Sequence, residues 1–317
     1  MALLPLFLLI VGFGALILGA NWLVNGATSI GVKAKLSPLI IGLTIVAFGT
    51  SLPEMIVNVF SCIKGSPGLA IGNIIGSNTM NILLILGVSA ILYPIDVSRI
   101  SIRRDIPVGF VATFAVTLMA NDYFNGTSAT IDWIEGLVLL GMGAGYLWLA
   151  FKKNSEFSEN SESPKALPLG KTIFQLVAGV VGLYIGGELV SNNAQKLALD
   201  WGMSESTVGL TVVATATSLP ELITSIVAAL KKNSSLAIGN VLGSNILNIF
   251  MVLGISSLIT PLPFDSKMNQ QLMILFFANV IMLASVFTGK GRKISRLEGL
   301  IFFAGYIVFI GWSVYTN

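Results

Sequence analysis

Histidine is absent from the 317 residues, and cysteine occurs once, as Cys62. Those absences exclude disulfide frameworks, imidazole- or thiolate-held zinc, histidine-ligated haem, and Ser-His-Asp or Cys-His catalysis. Charge is scarce too: Asp, Glu, Lys and Arg make up 10% of the chain, against about 25% in soluble domains. Too little charge remains to cover a water-facing surface, so the usual expectation of two soluble domains at this length fails. The net charge of +3 is scattered over short segments, leaving no basic face for nucleic acid. What is present is apolar: hydrophobic residues are 54% of the chain and mean hydropathy is +0.86. The composition predicts an all-α integral membrane protein.

Ten apolar segments are long enough to cross a bilayer, at 3–24, 38–63, 69–93, 106–121, 131–151, 172–191, 205–230, 236–260, 269–288 and 297–315. The first lacks the small-residue cleavage site of a signal peptide and reads as a retained helix. Positive charge orients the chain. Loops one, three, five, seven and nine hold Lys33 and Lys35, then Arg99, Arg103 and Arg104, then Lys152, Lys153, Lys165 and Lys171, then Lys231 and Lys232, then Lys290, Arg292, Lys293 and Arg296. The even loops hold only Lys64, Lys196 and Lys267. By the positive-inside rule the odd loops are cytoplasmic, which puts both termini outside. Loop five, rich in Ser, Glu and Lys around Asn154–Pro168, reads as a flexible linker. Trp22, Trp133, Trp148, Trp201 and Trp312 fall near span ends, as interfacial residues should.

Shifted by 167 residues, the sequence matches itself. GLTIVAFGTSLPE at Gly42–Glu54 meets GLTVVATATSLPE at Gly209–Glu221, and LAIGNIIGSNTMNI at Leu69–Ile82 meets LAIGNVLGSNILNI at Leu236–Ile249. A weaker echo pairs Ile134–Leu137 with Leu297–Leu300. Five spans per half is an odd number, so halves joined in series lie in opposite orientations. That is the inverted-repeat plan of secondary transporters, with the substrate site at the midplane where the halves meet. The expected organisation is a first five-helix repeat at 1–151, a cytoplasmic linker at 152–171 and a second five-helix repeat at 172–317. Duplication for packing alone is the rival explanation. It is disfavoured because the most similar segments are polar ones, which lipid burial penalises.

Glu54 and Glu221 fall in the middle of the second and seventh spans. A carboxylate at the bilayer centre costs about 2.5–3.5 kcal/mol on insertion scales. The spans offer no mid-membrane Lys or Arg, so the missing partner is a bound cation or a proton. Pro53 and Pro220 precede the acids, and each removes an amide and pushes on the carbonyl four residues back, at Gly49 and Ala216. Broken helices at membrane depth are tolerated where the freed backbone lines a cavity. Ala47 and Ala214, one turn earlier, are further carbonyl candidates. Thr50 and Ser51 lie four and three residues before Glu54, so their hydroxyls fall near it on a helix, and Thr217 and Ser218 repeat this with Glu221.

A second stripe recurs every four residues: Asn73, Ser77 and Asn81, then Asn240, Ser244 and Asn248. Asn73 and Asn240 read equally as ligands or as interhelical hydrogen-bonding residues. Ser77, Asn81, Ser244 and Asn248 lie deeper and read as ligands. Gly72, Gly76, Gly239 and Gly243 make small-xxx-small surfaces for close helix approach. The donor set is all oxygen, which selects hard cations. Calcium takes 6–8 oxygens in flexible geometry, whereas transition metals want imidazole or thiolate. Sodium accepts the same donors, and two carboxylates neutralise one calcium or two sodium ions. Glu188, near the outer end of the sixth span, is either a vestibule acid or structural, while Glu135 and Glu298 at span starts are structural or interfacial.

The paired GTSLPE/ATSLPE and GNxxGSNxxN segments resemble the two alpha-repeats of the cation/calcium exchanger superfamily, most specifically over residues 41–94 and 208–261. Within it the chain is similar to the compact prokaryotic sodium/calcium exchangers, lacking the large cytoplasmic insert of animal members. The resemblance implies calcium held by Glu54 and Glu221 with backbone oxygens of Thr50 and Thr217. It implies sodium sites that share those acids and add Ala47, Ser51, Ser77, Ala214, Ser218 and Ser244, with Asn81 and Asn248 completing the centre. Two departures matter. Ala216 stands where the first repeat has Gly49, and Asn248 stands where some relatives have Asp. An Asp in this region accompanies potassium co-transport in one branch, so Asn248 argues for potassium independence. Proton-coupled relatives carry Gly-Asn-x-x-Glu around the acid, whereas Thr-Ser-Leu-Pro-Glu favours sodium.

The reading is a multi-pass cell-membrane antiporter, not an enzyme, exchanging sodium for calcium by alternating access. Its substrates are the two ions, with no cofactor and no obligatory protein partner. The long, Gly-rich first and sixth spans are candidates for a gate that slides against the other eight. The alternatives are a proton/calcium or other divalent-cation antiporter on the same scaffold, and a cation channel.

Overall fold

The computed structural model describes residues 3–121, 129–152, 166–200, 214–266, 268–288 and 291–316. In chain order the helices are α1 (Leu3–Ala34), α2 (Pro38–Thr50), α3 (Leu52–Ile63), α4 (Gly68–Leu92), α5 (Ile106–Ala120), α6 (Trp133–Lys152), α7 (Leu169–Asp200), α8 (Ala214–Thr217), α9 (Leu219–Leu230), α10 (Ser234–Ile259), α11 (Met268–Thr288) and α12 (Arg296–Thr316). Among the described residues, seven helices are long and apolar enough to cross a membrane, and eight when the bent pair α2–α3 counts as one. The chain is a multi-pass membrane protein. The predicted fourth and seventh spans fall short of that measure. α5 has 15 residues and is preceded by a wide turn, Ser101–Asp105, carrying Arg103 and Arg104. α9 has 12 residues, and 205–213 of its predicted span lies outside the described residues.

Helix ends follow local chemistry. Ser37 caps α2, its Oγ accepting from the Ile40 amide, and Pro38 occupies the first turn, where its missing N–H costs nothing. Asn233 caps α10 through the Leu236 amide. Glu135 and Glu298 are the acids of two capping boxes. The Asp132 amide donates to Glu135 and the Glu135 amide donates back to Asp132. The Ser295 amide donates to Glu298, and the Leu297 amide to Ser295 Oγ. Both acids are structural, as their place at span starts suggested. α1 and α7 run 32 residues each, beyond the predicted 3–24 and 172–191, because the helix continues through the more polar residues that follow each apolar run.

Two short antiparallel ladders tie the halves of the chain together. Ile95–Asp96 (β1) pairs with Lys293–Ile294 (β4), and Thr130–Ile131 (β2) pairs with Leu262–Pro263 (β3). Strands were not expected in an all-α chain, but each has two residues and lies in a connection between helices. The pairing puts predicted loops three and nine on one face and loops four and eight on another. Lys293 Nζ sits 3.0 Å from Asp96 Oδ1, a contact that holds the Lys293 amine above its ordinary value.

α1 and α7 lie against each other nearly backbone to backbone. A Cβ on Gly19 would stand 2.7 Å from the Leu183 amide nitrogen, one on Gly179 2.6 Å from the Leu23 nitrogen, and one on Gly186 2.7 Å from the Leu16 nitrogen. Gly12 and Gly19 are related to Gly179 and Gly186 by the same offset of 167. Another close approach joins α2 to α10: a Cβ on Gly42 would meet the Leu236 carbonyl oxygen at 2.6 Å, and one on Gly243 the Leu43 oxygen at 2.6 Å. The small-xxx-small surface of α10 is therefore a helix contact. The second-half residues matching Gly42, around Gly209, lie outside the described residues.

Candidate functional site

The two TSLPE segments fold alike. α2 ends at Thr50 and α3 restarts at Leu52, with a bend of 43° between them. Ser51 at the break has φ −83°, ψ 4°, and Ser218, between α8 and α9, has φ −91°, ψ 8°. Pro53 and Pro220 sit in the first turn of the following helices, so Gly49 and Ala216 lose the amide a continuous helix would offer their carbonyls. Glu54 and Glu221 fall in that same first turn, each with no exposed surface.

The acids are joined crosswise. Ser51 Oγ donates to Glu221 Oε1 at 3.0 Å, and Ser218 Oγ donates to Glu54 Oε1 at 3.1 Å. Each half thus supplies the hydroxyl for the other half's carboxylate. Ser218 Oγ also lies 3.1 Å from Ser77 Oγ. The second oxygen of each acid, Oε2, is buried with no hydrogen-bond partner, and so is Ser244 Oγ. The ion pairs found among the described residues, Arg104–Asp105 and Lys293–Asp96, involve neither acid. Among the described residues no group of three or more His, Cys, Asp or Glu comes together, so a cation here would rest on two carboxylates and neutral oxygens.

α4 and α10 pass through the centre, and each widens into π-type turns at the motif asparagine, over Asn81–Leu86 and Asn248–Leu253. Such widened turns recur at functional sites. Asn81 Nδ2 donates to Asn245 Oδ1 at 2.9 Å, and Asn248 Nδ2 to Asn78 Oδ1 at 3.1 Å. The Oδ1 atoms of Asn81 and Asn248 are buried without a partner. Asn78 and Asn245 are absent from the four-residue stripe, which steps over them, although both stand inside the duplicated GSNxxN segment.

Asn73 and Asn240 resolve as interhelical hydrogen-bonding residues. Asn73 Nδ2 donates to Asn58 Oδ1 at 2.8 Å, and Asn240 Nδ2 to Ser225 Oγ at 2.9 Å. Asn240 Oδ1 also accepts from Thr50 Oγ1 at 3.1 Å. Ala47 is buried, and its carbonyl oxygen accepts from the Ser51 amide and from Thr50 Oγ1. Thr217 is half-buried in α8, and the side chain of Ala214 lies outside the described residues.

α1 and α7 cover the breaks. The Cβ position of Gly49 is 3.0 Å from Val180 Cγ2, and that of Gly187 is 3.9 Å from Pro220 Cγ. A cavity of ≈ 40 Å³ borders Pro53, Pro220, Thr217, Tyr184, Gly187 and Glu188. Glu188 is exposed, accepts from Asn192 Nδ2 at 3.2 Å, and borders this cavity.

Comparison with known proteins agrees with this arrangement. The sequence profile described as Sodium/calcium exchanger protein matches residues 4–152 and 171–315. The chain is 34% identical to the membrane protein MJ0091 of Methanocaldococcus jannaschii, over 96% of this chain and 98% of that one. It is 30% identical to the sodium/calcium exchanger MaX1 of Methanosarcina acetivorans, over 96% of each. The solved structure of the sodium-calcium exchanger NCX_Mj superposes with a TM-score of 0.83 at 34% identity, covering 98% of this chain and 99% of that one. On its profile match and its full-length relatives, this chain, a membrane ion exchanger and not an enzyme, belongs to the sodium/calcium exchanger family.

Proposed function

We propose that this chain is a secondary antiporter exchanging sodium for calcium by alternating access, with Glu54 and Glu221 holding the calcium. One observation carries the reading: two fully buried carboxylates and two buried asparagines each keep one oxygen without a partner, and among the described residues no cationic side chain is paired with either acid. Buried charge persists only when paired, so the complement of this site is a cation from outside the chain. Every open donor is an oxygen, as a hard ion requires. Calcium takes the two acids and the backbone oxygens of Thr50 and Thr217. Sodium shares the acids and uses Ala47, Ser51, Ser77, Ala214, Ser218 and Ser244, with Asn81 and Asn248 at the centre. Asn248, neutral where an Asp would add a third charge, makes exchange independent of potassium.

The architecture we propose is ten transmembrane helices in two inverted five-helix repeats, 1–151 and 172–317, joined by a cytoplasmic linker at 152–171, with both termini outside. The loop pairing by the two ladders and the positive charge of the odd loops support it. α1 and α7 cover both breaks and form the moving element. The deciding experiment is calcium uptake into vesicles against an imposed outward sodium gradient, repeated with potassium and proton gradients. Uptake driven by sodium alone supports the proposal. Uptake driven by protons without sodium would assign the chain to proton/calcium exchange, and flux that does not saturate and needs no counter-ion would make it a channel.

A further inference from the structure

Asn78 and Asn245 stand outside the ligand set above, yet each binds one of its central asparagines through the side-chain oxygen, Asn78 holding Asn248 and Asn245 holding Asn81. The two holding residues are themselves tied down. Asn78 Nδ2 donates to the Asn245 backbone carbonyl at 3.0 Å, and Asn245 Nδ2 donates to the Asn78 carbonyl at 3.3 Å. All four carboxamides are buried where α4 and α10 meet.

A carboxamide can turn either its oxygen or its NH2 toward a neighbour, and only the oxygen suits a cation. Turned about, Asn81 would aim two N–H groups into the site and press its own oxygen against the oxygen of Asn245. The same holds for Asn248 against Asn78. Fixed acceptors on one side of each amide therefore choose which atom faces the other. The atoms left facing it, Asn81 Oδ1 and Asn248 Oδ1, are the ones buried without partners.

We propose that Asn78 and Asn245 are positioning residues that set the amide orientation of Asn248 and Asn81, so that both present oxygen to the transported cation. The inference rests on the reading of Asn81 and Asn248 as ligands. The holding is crosswise, each half of the chain orienting the ligand of the other, as the serines do for the two acids. It also explains why the segment repeats as GSNxxN: the first Asn orients and the second binds.

The test is a double-mutant cycle in proteoliposomes of the full chain, with Asn81→Ala, Asn245→Ala and both together. The readouts are the apparent KM for calcium and the kcat of sodium-driven uptake. Removing a residue that orients a metal ligand typically lowers affinity 10–100-fold, so Asn245→Ala is expected to raise the KM about tenfold with kcat changed less than about twofold. In the Asn81→Ala background it should add nothing. Independent, additive losses, or a parent-like Asn245→Ala beside an impaired Asn81→Ala, would overturn the positioning role and leave the ligand reading standing. Normal transport by Asn81→Ala would overturn both. Should Asn245→Ala fail to insert, the equivalent cycle on Asn78 and Asn248 tests the same claim.

Discussion

At the scale of single residues, the site is defined by oxygens that have no partner. Glu54 and Glu221 each receive one serine hydroxyl and keep one oxygen free, so a substitution that removes the charge removes what a divalent ion needs. Glu54→Gln and Glu221→Gln should each abolish sodium-driven calcium uptake in proteoliposomes while the protein still inserts and purifies, because deleting an unpaired membrane carboxylate relieves a cost of about 2.5–3.5 kcal/mol. Normal uptake by either variant, or a defect confined to misfolding, would refute their role. Glu188→Gln should retain substantial transport, since that acid is exposed and already bonded to Asn192. The neutral Asn248 gives a third expectation: removing potassium from both sides should leave the exchange rate unchanged. Much of this was legible beforehand. The acids stood out because charge is rare in this chain, and their serines and threonines because helical spacing puts them nearby. Asn78 and Asn245 were not legible, because the i, i+4 rule follows one helix face, and what brings them into play is the contact between α4 and α10 from opposite halves.

At the scale of elements, duplication and proline together made the breaks readable: Pro53 and Pro220 fall where the helices restart. The π-type turns at Asn81–Leu86 and Asn248–Leu253 carry no proline or glycine signal of their own, so nothing local in the sequence announces them. The α1–α7 contact was visible only as glycine content. Its closeness is a matter of which glycines face one another. Gly19 has backbone atoms of α7 within 2.9 Å of a Cβ position, whereas Gly14, on the same helix, has nothing within 4 Å. Gly19→Val should therefore destabilise the folded protein by about 1–3 kcal/mol, the range for overpacking. Gly14→Ala should be neutral or slightly stabilising, as Ala is the better helix former. Unfolding midpoints in detergent distinguish them, and equal midpoints would mean that α1 and α7 are not held this tightly.

At the scale of the whole molecule, the proposed orientation rests on the charge count, and the ladders fix which connections lie together. A cysteine placed at Asn317 in intact cells should react with an impermeant reagent, and one at Ser158 should not; both positions lie outside the described residues. The opposite pattern would invert the assigned access side of each repeat. Asp96→Cys and Lys293→Cys together should cross-link, since the two residues are register partners on one face. The ladders themselves could not be read from the sequence, because two-residue strands leave no periodicity, and their partners are far apart in the chain. The crosswise serine bonds carry one more consequence. Neither half owns a finished site: Ser51 serves the acid of the second half and Ser218 the acid of the first. On the proposed inverted-repeat architecture, the molecule is in effect an antiparallel heterodimer whose subunits share one polypeptide. Severed within 152–171, the two fragments should be inactive apart and regain exchange only in one-to-one assembly, and a chain built from two copies of either half would have to enter the bilayer both ways up.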